Sequence, residues 1–449
     1  MLTLRGRIAK RHGMSSQIAG RAAAILAVLT FVAVAQQPAG ESRVWTAVNG
    51  QKFAAKLLGV EGVNGVFQLA TGQTTKIALQ HLSPPDQLLI RKGAQPGVAP
   101  APPNPNATAR PAPTPKPRTW PGIVEVPTNS IEIAIAEQDP AKRRYVYKSQ
   151  AFEFVSQDKL ATSVMREVAR TFEATRALVS ALPWGVDPQP PADLGFYQAK
   201  LFVTRDDYFA DGGPVNSGGV YFSRDRIFRI PFPSLGLELQ GKTWFKKADY
   251  RGDTLVHEVT HQMMHDFLPF LPAWVIEGTA EYTESLPYNA GRFLANSHAR
   301  GLKEYIAKNT AHRISTASFR PFSTHMTTDR TAWDSLSQNS SSQHVLYYQS
   351  YLLVYFFSHL DGDGKGTRFL KYLDAIAEAR KAWDVFFSKP EVKKIEHGNF
   401  SWPSNIPLPA AKRSEEFGIE KLSILMDGRD AATLESDIRN GFKKLGIKL

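Results

Sequence analysis

Two histidines four positions apart, His257 and His261, enclose Glu258 in the string His257-Glu258-Val259-Thr260-His261. On a helix, residues i and i+4 lie one turn apart on the same face, so both imidazoles can reach a single metal ion. Glu258 then projects beside that ion, where a carboxylate can take a proton from water. The chain has no cysteine, so a transition metal must be held by imidazole and carboxylate. The same absence excludes a disulfide scaffold and a thiol nucleophile. Glu277 follows His261 by 16 positions, inside Trp274-Val275-Ile276-Glu277-Gly278-Thr279-Ala280-Glu281-Tyr282. That is enough chain for a turn and a return helix to bring a third ligand to the metal. Glu281 and Glu284 are alternative third ligands. His265 continues the histidine face but lies a turn too far along, so it is expected to be packed or solvated.

These side chains need helices to hold them. The apolar spacing of Leu255, Val256, Val259 and Met263 predicts a helix over 253–267, with His257, His261 and His265 on another face and Pro269 and Pro272 ending it. Pro272 is placed to start the helix that carries Glu277. Upstream, strands are expected at 145–155 and 199–204, a strand pair at 218–232, and a helix over 158–182 capped by Asp158. Downstream, the Ser- and Thr-rich stretch 315–343 reads as a long surface loop, followed by helices over 345–359, 367–379 and 431–445. Asp361-Gly362-Asp363-Gly364-Lys365-Gly366 is like a calcium loop, but Lys365 and Tyr372 stand where such a loop needs acidic or polar ligands, so it reads as a turn between helices. Most strands precede the main helices, which makes the fold class α+β.

At 449 residues and 43% hydrophobic, with 26 Phe and 8 Trp, the chain can fill two or three domains and is not disordered. Basic residues Arg5 to Arg21 precede the apolar run 22–35, which ends in Ala33-Val34-Ala35, a small-x-small cleavage site. Residues 1–35 therefore read as a signal peptide, with Met14 as an alternative start. An uncleaved anchor is the other reading, but this run is shorter than the roughly 20 residues that span a bilayer. The net charge is +12, and five basic residues lie in that leader with no acidic one, leaving 12 − 5 = +7. Such a balance is modest, and nucleic acid is not an expected partner. An exported chain without cysteine suits a bacterial periplasm, cell envelope or exterior, with no membrane span after signal cleavage. Ten prolines between Pro96 and Pro121 make 93–121 a semi-rigid linker. Ahead of it, residues 41–92 alternate short β-type stretches with glycine turns, as in a small barrel.

Two resemblances follow. Residues 41–92 resemble the first Sla homology domain, through Arg43, Trp45, Gly50, Phe53, Ala55, Gly72, Ile77, Leu79, Leu82-Ser83 and Asp86-Gln87. This implies a small SH3-like β-barrel and, from its peptide-binding relatives, a peptide or envelope ligand; alternatively Trp45 and Phe53 are simply its core. Residues 122–449 resemble the gluzincins, and the W-x-x-E-G-x-A-E-Y string is especially similar to peptidase-MA-like families of bacterial exported proteins. A metzincin would need histidine where Phe267 stands. The resemblance implies a zinc metallopeptidase domain with one Zn2+ per chain, held by His257, His261 and Glu277. Glu258 becomes the general base, and Glu281 the carboxylate that orients a ligand histidine. Tyr347-Tyr348-Gln349-Ser350 is similar to the Tyr-x-Lys-Gly of zinc aminopeptidases, whose tyrosine hydrogen-bonds the oxyanion, although Gln349 and Ser350 replace Lys and Gly. Tyr347 is the first candidate, and Tyr348 and Tyr351 stay open. The expected function is an exported hydrolase acting on peptide or protein substrates. Endopeptidase action is expected because the candidate edge strand 218–222 has no carboxylate to hold a free amine. The alternative is an envelope binding or scaffold protein whose Sla-like module is the working part and whose zinc domain is structural or inactive.

Overall fold

The computed structural model describes residues 43–47, 51–61, 64–69, 71–79, 82, 86, 90 and 118–449, the last range without 192, 216, 248, 249, 251, 313, 314 and 396–399. The signal peptide expected at 1–35 and most of the linker lie outside the described residues. The chain divides into two compact units, Met1–Arg110 and Pro111–Leu449.

In the first unit, β1 (Arg43–Thr46), β2 (Lys52–Glu61), β3 (Asn64–Leu69) and β4 (Thr74–Ala78) form an antiparallel meander in that order. A bridge from Leu82 to Ala47 brings the chain back beside β1. Alternation puts Trp45, Ala55 and Phe67 on one face, where they bury with Leu82 and Ile90. The Trp45 indole donates to the Ala55 carbonyl at 2.8 Å, and Phe67 meets both Trp45 and Phe53 edge-on. Trp45 and Phe53 are thus packing residues of this unit.

The second unit is built on a mixed six-stranded sheet. Its strands are β6 (Ala134–Asp139), β7 (Arg144–Lys148), β8 (Phe152–Ser156), β9 (Tyr197–Phe202), β10 (Val220–Phe222) and β11 (Ile227–Pro231), in the order β10-β11-β9-β8-β7-β6. The short strand β5 (Val124–Glu125) pairs elsewhere, with Arg292–Phe293. β8, β9 and β11 run parallel, and β10 closes one edge as the antiparallel half of a hairpin with β11. The single strand expected at 145–155 is therefore two strands, broken by a turn at 149–151.

Helix α1 (Thr162–Ala181) lays Met165, Val168, Phe172 and Leu178 on the sheet, with the Phe172 ring 4.9 Å from that of Phe154. It starts later than expected and without a side-chain cap, because the Asp158 carboxylate instead accepts the Trp244 indole N–H at 2.8 Å. After the short helix α2 (Arg205–Ala210) come α3 (Asp253–Met263), α4 (Ala273–Ser285) and α5 (His298–Ala311).

The stretch 315–343 is not a loop. It holds α6 (Phe322–Met326), α7 (Arg330–Leu336) and the first turn of α8 (Ser340–His359), each of the last two capped by an Asp or Asn side chain. α9 (Thr367–Phe387) follows the turn at 361–366, and α10 (Glu415–Glu420), α11 (Leu422–Met426) and α12 (Ala431–Lys444) complete the chain. In that turn, the buried Asp361 is taken by Arg368 and Arg429, which leaves it no role as a calcium ligand. Residues 118–121, assigned to the linker by composition, belong to this unit: Arg118 pairs with Asp374, and the Trp120 ring lies 4.5 Å from that of His359. Among the described residues, no helix is long and apolar enough to cross a membrane.

Candidate metal centre

α3 and α4 pack against each other in the core, and α4 packs most extensively against α8. Leu255, Val256, Val259 and Met263 bury one face of α3, and the Thr260 hydroxyl meets that of Thr283 at 2.7 Å across the α3–α4 contact. This fixes the opposite face of α3, with His257 and His261, toward Glu277 on α4. Pro272 caps the start of α4, and the 3₁₀ turn Leu268–Phe270 reverses the chain between the two helices.

The Glu277 Oε2 atom lies 3.3 Å from His257 Nε2 and 3.5 Å from His261 Nε2. Metal–ligand bonds of about 2.0–2.1 Å in a tetrahedral site put neighbouring ligand atoms about 3.3–3.4 Å apart. The two Glu277–histidine distances match that spacing, all three donor atoms lie within 4.8 Å of one another, and they form one of the two groups of described residues that could hold a metal ion. Two neutral imidazoles and one carboxylate, with no thiolate, also suit zinc chemically.

His257 is gripped from its other side. Its Nδ1 atom lies 3.2 Å from Glu284 Oε2, a hydrogen bond, and 3.5 Å from Glu281 Oε1. A hydrogen on Nδ1 leaves the Nε2 lone pair free for the metal. The carboxylate nearest His257 Nδ1 is that of Glu284, while Glu281, expected to orient a ligand histidine, stands beside it and bonds the Tyr305 hydroxyl. These three atoms of His257, Glu281 and Glu284 are the second group able to hold a metal. Glu277, Glu281 and Glu284 recur at i, i+4 and i+7 on α4, a spacing visible in the sequence.

Glu258 points elsewhere. Its Oε2 atom accepts the backbone N–H of Tyr221 at 2.8 Å, so the edge strand β10 holds this carboxylate. Tyr347 stacks on His257, ring centroids 5.9 Å apart and planes within 11°, and its hydroxyl accepts from Gln343 at 3.2 Å. Tyr348 and Tyr351 pack instead against Tyr305, away from the histidines. Tyr347 is the member of the three that faces the centre. Gln343 and the Tyr221 amide are contacts that no sequence pattern announces. His265 does not join the donors; burial and the nearby Arg226 push its pKa down to about 4, and its Nδ1 bonds the Tyr221 hydroxyl at 2.9 Å.

The electrostatics of the centre are those of buried carboxylates around a cationic point. Burial disfavours charge on His257, but hydrogen bonds to Glu277 and Glu284 outweigh it and raise its pKa well above the ordinary value. Burial favours the neutral form of Glu277 too, yet the His261 charge and bonds from both histidines hold it well below the usual carboxylate range. Burial raises Glu258 against the opposing histidine charges, and burial with the neighbouring Glu284 pushes Glu281 up to about 8.

The centre opens into a cleft of about 890 Å3, bounded by β10 and the glycines before it on one side and by α5 and the start of α8 on the other. No family model matches the chain, and no curated protein is significantly similar to it.

Proposed function

We propose that the second unit is a gluzincin-type zinc peptidase that hydrolyses peptide bonds in this cleft. The observation that carries the reading is the convergence of His257, His261 and Glu277, whose donor atoms lie within 4.8 Å of one another, with Glu258 lining the same cleft. When bound, zinc would supply Lewis acidity, polarising a carbonyl and acidifying a water molecule. His257 and His261 would hold the ion through Nε2 and Glu277 through a carboxylate oxygen. Glu258, anchored at one oxygen by the Tyr221 amide, keeps its other oxygen to accept a proton and return it to the leaving amine. Its pKa, raised by burial, suits a base that must also act as an acid. The Tyr347 hydroxyl stays protonated because burial and the nearby Glu277 raise its pKa, so it is a donor for a developing oxyanion. A purely structural metal site has no use for Glu258.

The reading extends to where the substrate is cut. β10 is a sheet edge, and Gly218 and Gly219 line the cleft beside it, which leaves room for an extended backbone. Asp225, the nearest carboxylate to that edge in sequence, is engaged by Arg229 at 2.6 Å. With no amine anchor on this strand, endopeptidase action is favoured, and peptides with blocked N-termini should be cleaved internally. The first unit is proposed as an SH3-like peptide or envelope-ligand module, and the whole chain as an exported protein.

The experiment is metal analysis with Glu258→Gln. The parent should carry one zinc per chain and lose activity to a chelator, while Glu258→Gln should keep the metal and lose at least about a hundredfold in kcat. Zinc retained in a His257→Ala, His261→Ala double variant would end the reading.

A further inference from the structure

The acidic residues lining the cleft are gathered at the metal centre. Glu277, Glu281 and Glu284 face His257, and Glu258 is tied to β10. Farther out, the described lining residues carry no carboxylate. They carry Lys308, His312 and His344 instead, all exposed, among the hydroxyls of Ser315, Ser318, Ser340 and Ser341. The walls also lack large aliphatic side chains: no Leu, Ile, Phe, Met or Trp lines the cleft among the described residues. Among the described residues, Val220, Val345 and the rings of Tyr221, Tyr305 and Tyr347 are all that a bulky apolar side chain could pack against.

The geometry of α5 sets the scale. Tyr305, midway along α5, hydrogen-bonds Glu281 and so marks where that helix meets the centre. Lys308 and His312 follow on the same face, at i+3 and i+7, and both line the cleft. At 1.5 Å per residue they stand about 4.5 and 10 Å beyond Tyr305 along the axis. An extended peptide advances about 3.3 Å per residue, so for a peptide lying along α5 these two side chains would stand beside one to three substrate residues. Lys308 pairs with Asp253 at 3.5 Å, but the lysine side chain is exposed and such a surface pair contributes little, so a substrate carboxylate can compete for it.

We infer that this cleft selects peptides carrying Asp or Glu within about three residues of the scissile bond, with Lys308, His312 and His344 as the selecting residues. The inference rests on the peptidase reading for cleavage, but not for binding, and the two are measured separately.

Blocked peptides of one backbone, each carrying Glu, Gln, Leu or Lys at one position in turn, are assayed for cleavage by the zinc-loaded full chain. The same peptides, fluorescently labelled, are titrated into zinc-loaded Glu258→Gln. Glu peptides should exceed their Leu twins by about five- to tenfold in both kcat/KM and affinity. The margin should shrink as salt rises toward 0.5 M, where the screening length falls to about 4–5 Å. In a Lys308→Glu, His312→Gln, His344→Gln variant, the order should turn toward Lys peptides. Acid-selective binding with no cleavage by the parent would overturn the peptidase reading and leave this inference standing. Cleavage with Leu equal to or better than Glu, or a Glu preference untouched in the triple variant, would overturn the inference alone. If no peptide is bound or cut, both fall.

Discussion

Gly278, next to the proposed ligand Glu277, is where α4 touches α8, and adding one methyl group there tests how the centre is positioned. A Cβ at this site would lie 2.5 Å from the Ser350 carbonyl oxygen and 2.7 Å from a Val354 methyl. Ordinary contacts lie near 3.5 Å, so Gly278→Ala must push the helices apart by up to about 1 Å. The oxygen belongs to the backbone of a buried helix and cannot swing away as a side chain would. Overpacking of this kind costs about 1–3 kcal/mol, and with a backbone partner the upper end applies. Alanine returns about 1 kcal/mol through helix propensity, which leaves about 2 kcal/mol of net destabilisation. For a unit of this size that is a fall of about 3 °C in Tm, measured by thermal unfolding with chelator present. Displacing Glu277 by a similar distance from donors 3.3 and 3.5 Å away should also weaken zinc binding by at least about tenfold, read by competition with a chromogenic chelator. Gly122→Ala, where a Cβ has nothing within 4 Å, is the control. Val354→Ala should rescue Gly278→Ala only in part, because the clash with the carbonyl remains. A Gly278→Ala protein with parental Tm and zinc affinity would refute the claim that this close approach sets the position of Glu277.

Three further outcomes are expected. Glu284→Gln should lower zinc affinity by about 10- to 100-fold without unfolding the chain, whereas Glu281→Gln should do less, because the nearer contact to His257 Nδ1 is that of Glu284; equal effects in a zinc titration would contradict this. Tyr347→Phe should keep the metal and KM but reduce kcat by about tenfold or more, and an unchanged kcat would remove the hydroxyl from the reaction. Buried His325, with its Nε2 on Ser350 Oγ at 2.8 Å, has its pKa pushed down to about 3 by burial and by Arg320, against about 6.5 unfolded. Because the folded value is the lower one, its stabilising effect is complete above about pH 6.5 and is lost as pH falls toward 3, at up to about 1.4 kcal/mol per pH unit. His325→Gln should therefore flatten the acid limb of the Tm–pH profile, and an identical limb would assign acid lability to other groups.

The parts of the centre that were legible in the sequence are those set by local geometry. His257 and His261 share a helix face through their spacing alone, and the prolines at 269 and 272 announce the turn that returns Glu277. The choice among Glu277, Glu281 and Glu284 was not legible, because all three repeat on one face of α4. It depends on the rotation of that helix, set by Gly278 against Ser350 and Thr283 against Thr260. Likewise Tyr347 and Tyr351 are one turn apart, so periodicity places them alike; the fold turns one onto His257 and the other onto Tyr305. The stretch 315–343 was misread because helices of 5 and 7 residues are too short to show a period. Asp158 carried a capping signal, but the tertiary demand of the Trp244 indole took its carboxylate.

The carboxylates of the centre divide by what holds them. Glu277, Glu281 and Glu284 all come from α4 and all meet His257, two on Nδ1 and one on Nε2. Packed so closely, like charges repel by about 4 kcal/mol per pair at 4 Å in a partly screened interior. Positive charge held at the focus of such a face, as the proposed ion would supply, offsets that repulsion. Glu258 comes from the other helix and bonds not to an imidazole but to the amide of the strand along which an extended chain would lie. Glu258 is thus left out of the cluster around His257 and lines the cleft. In the proposed reaction one helix would supply the charge that binds the ion and another the carboxylate that moves a proton, and the contact of Thr260 with Thr283 ties the two helices together.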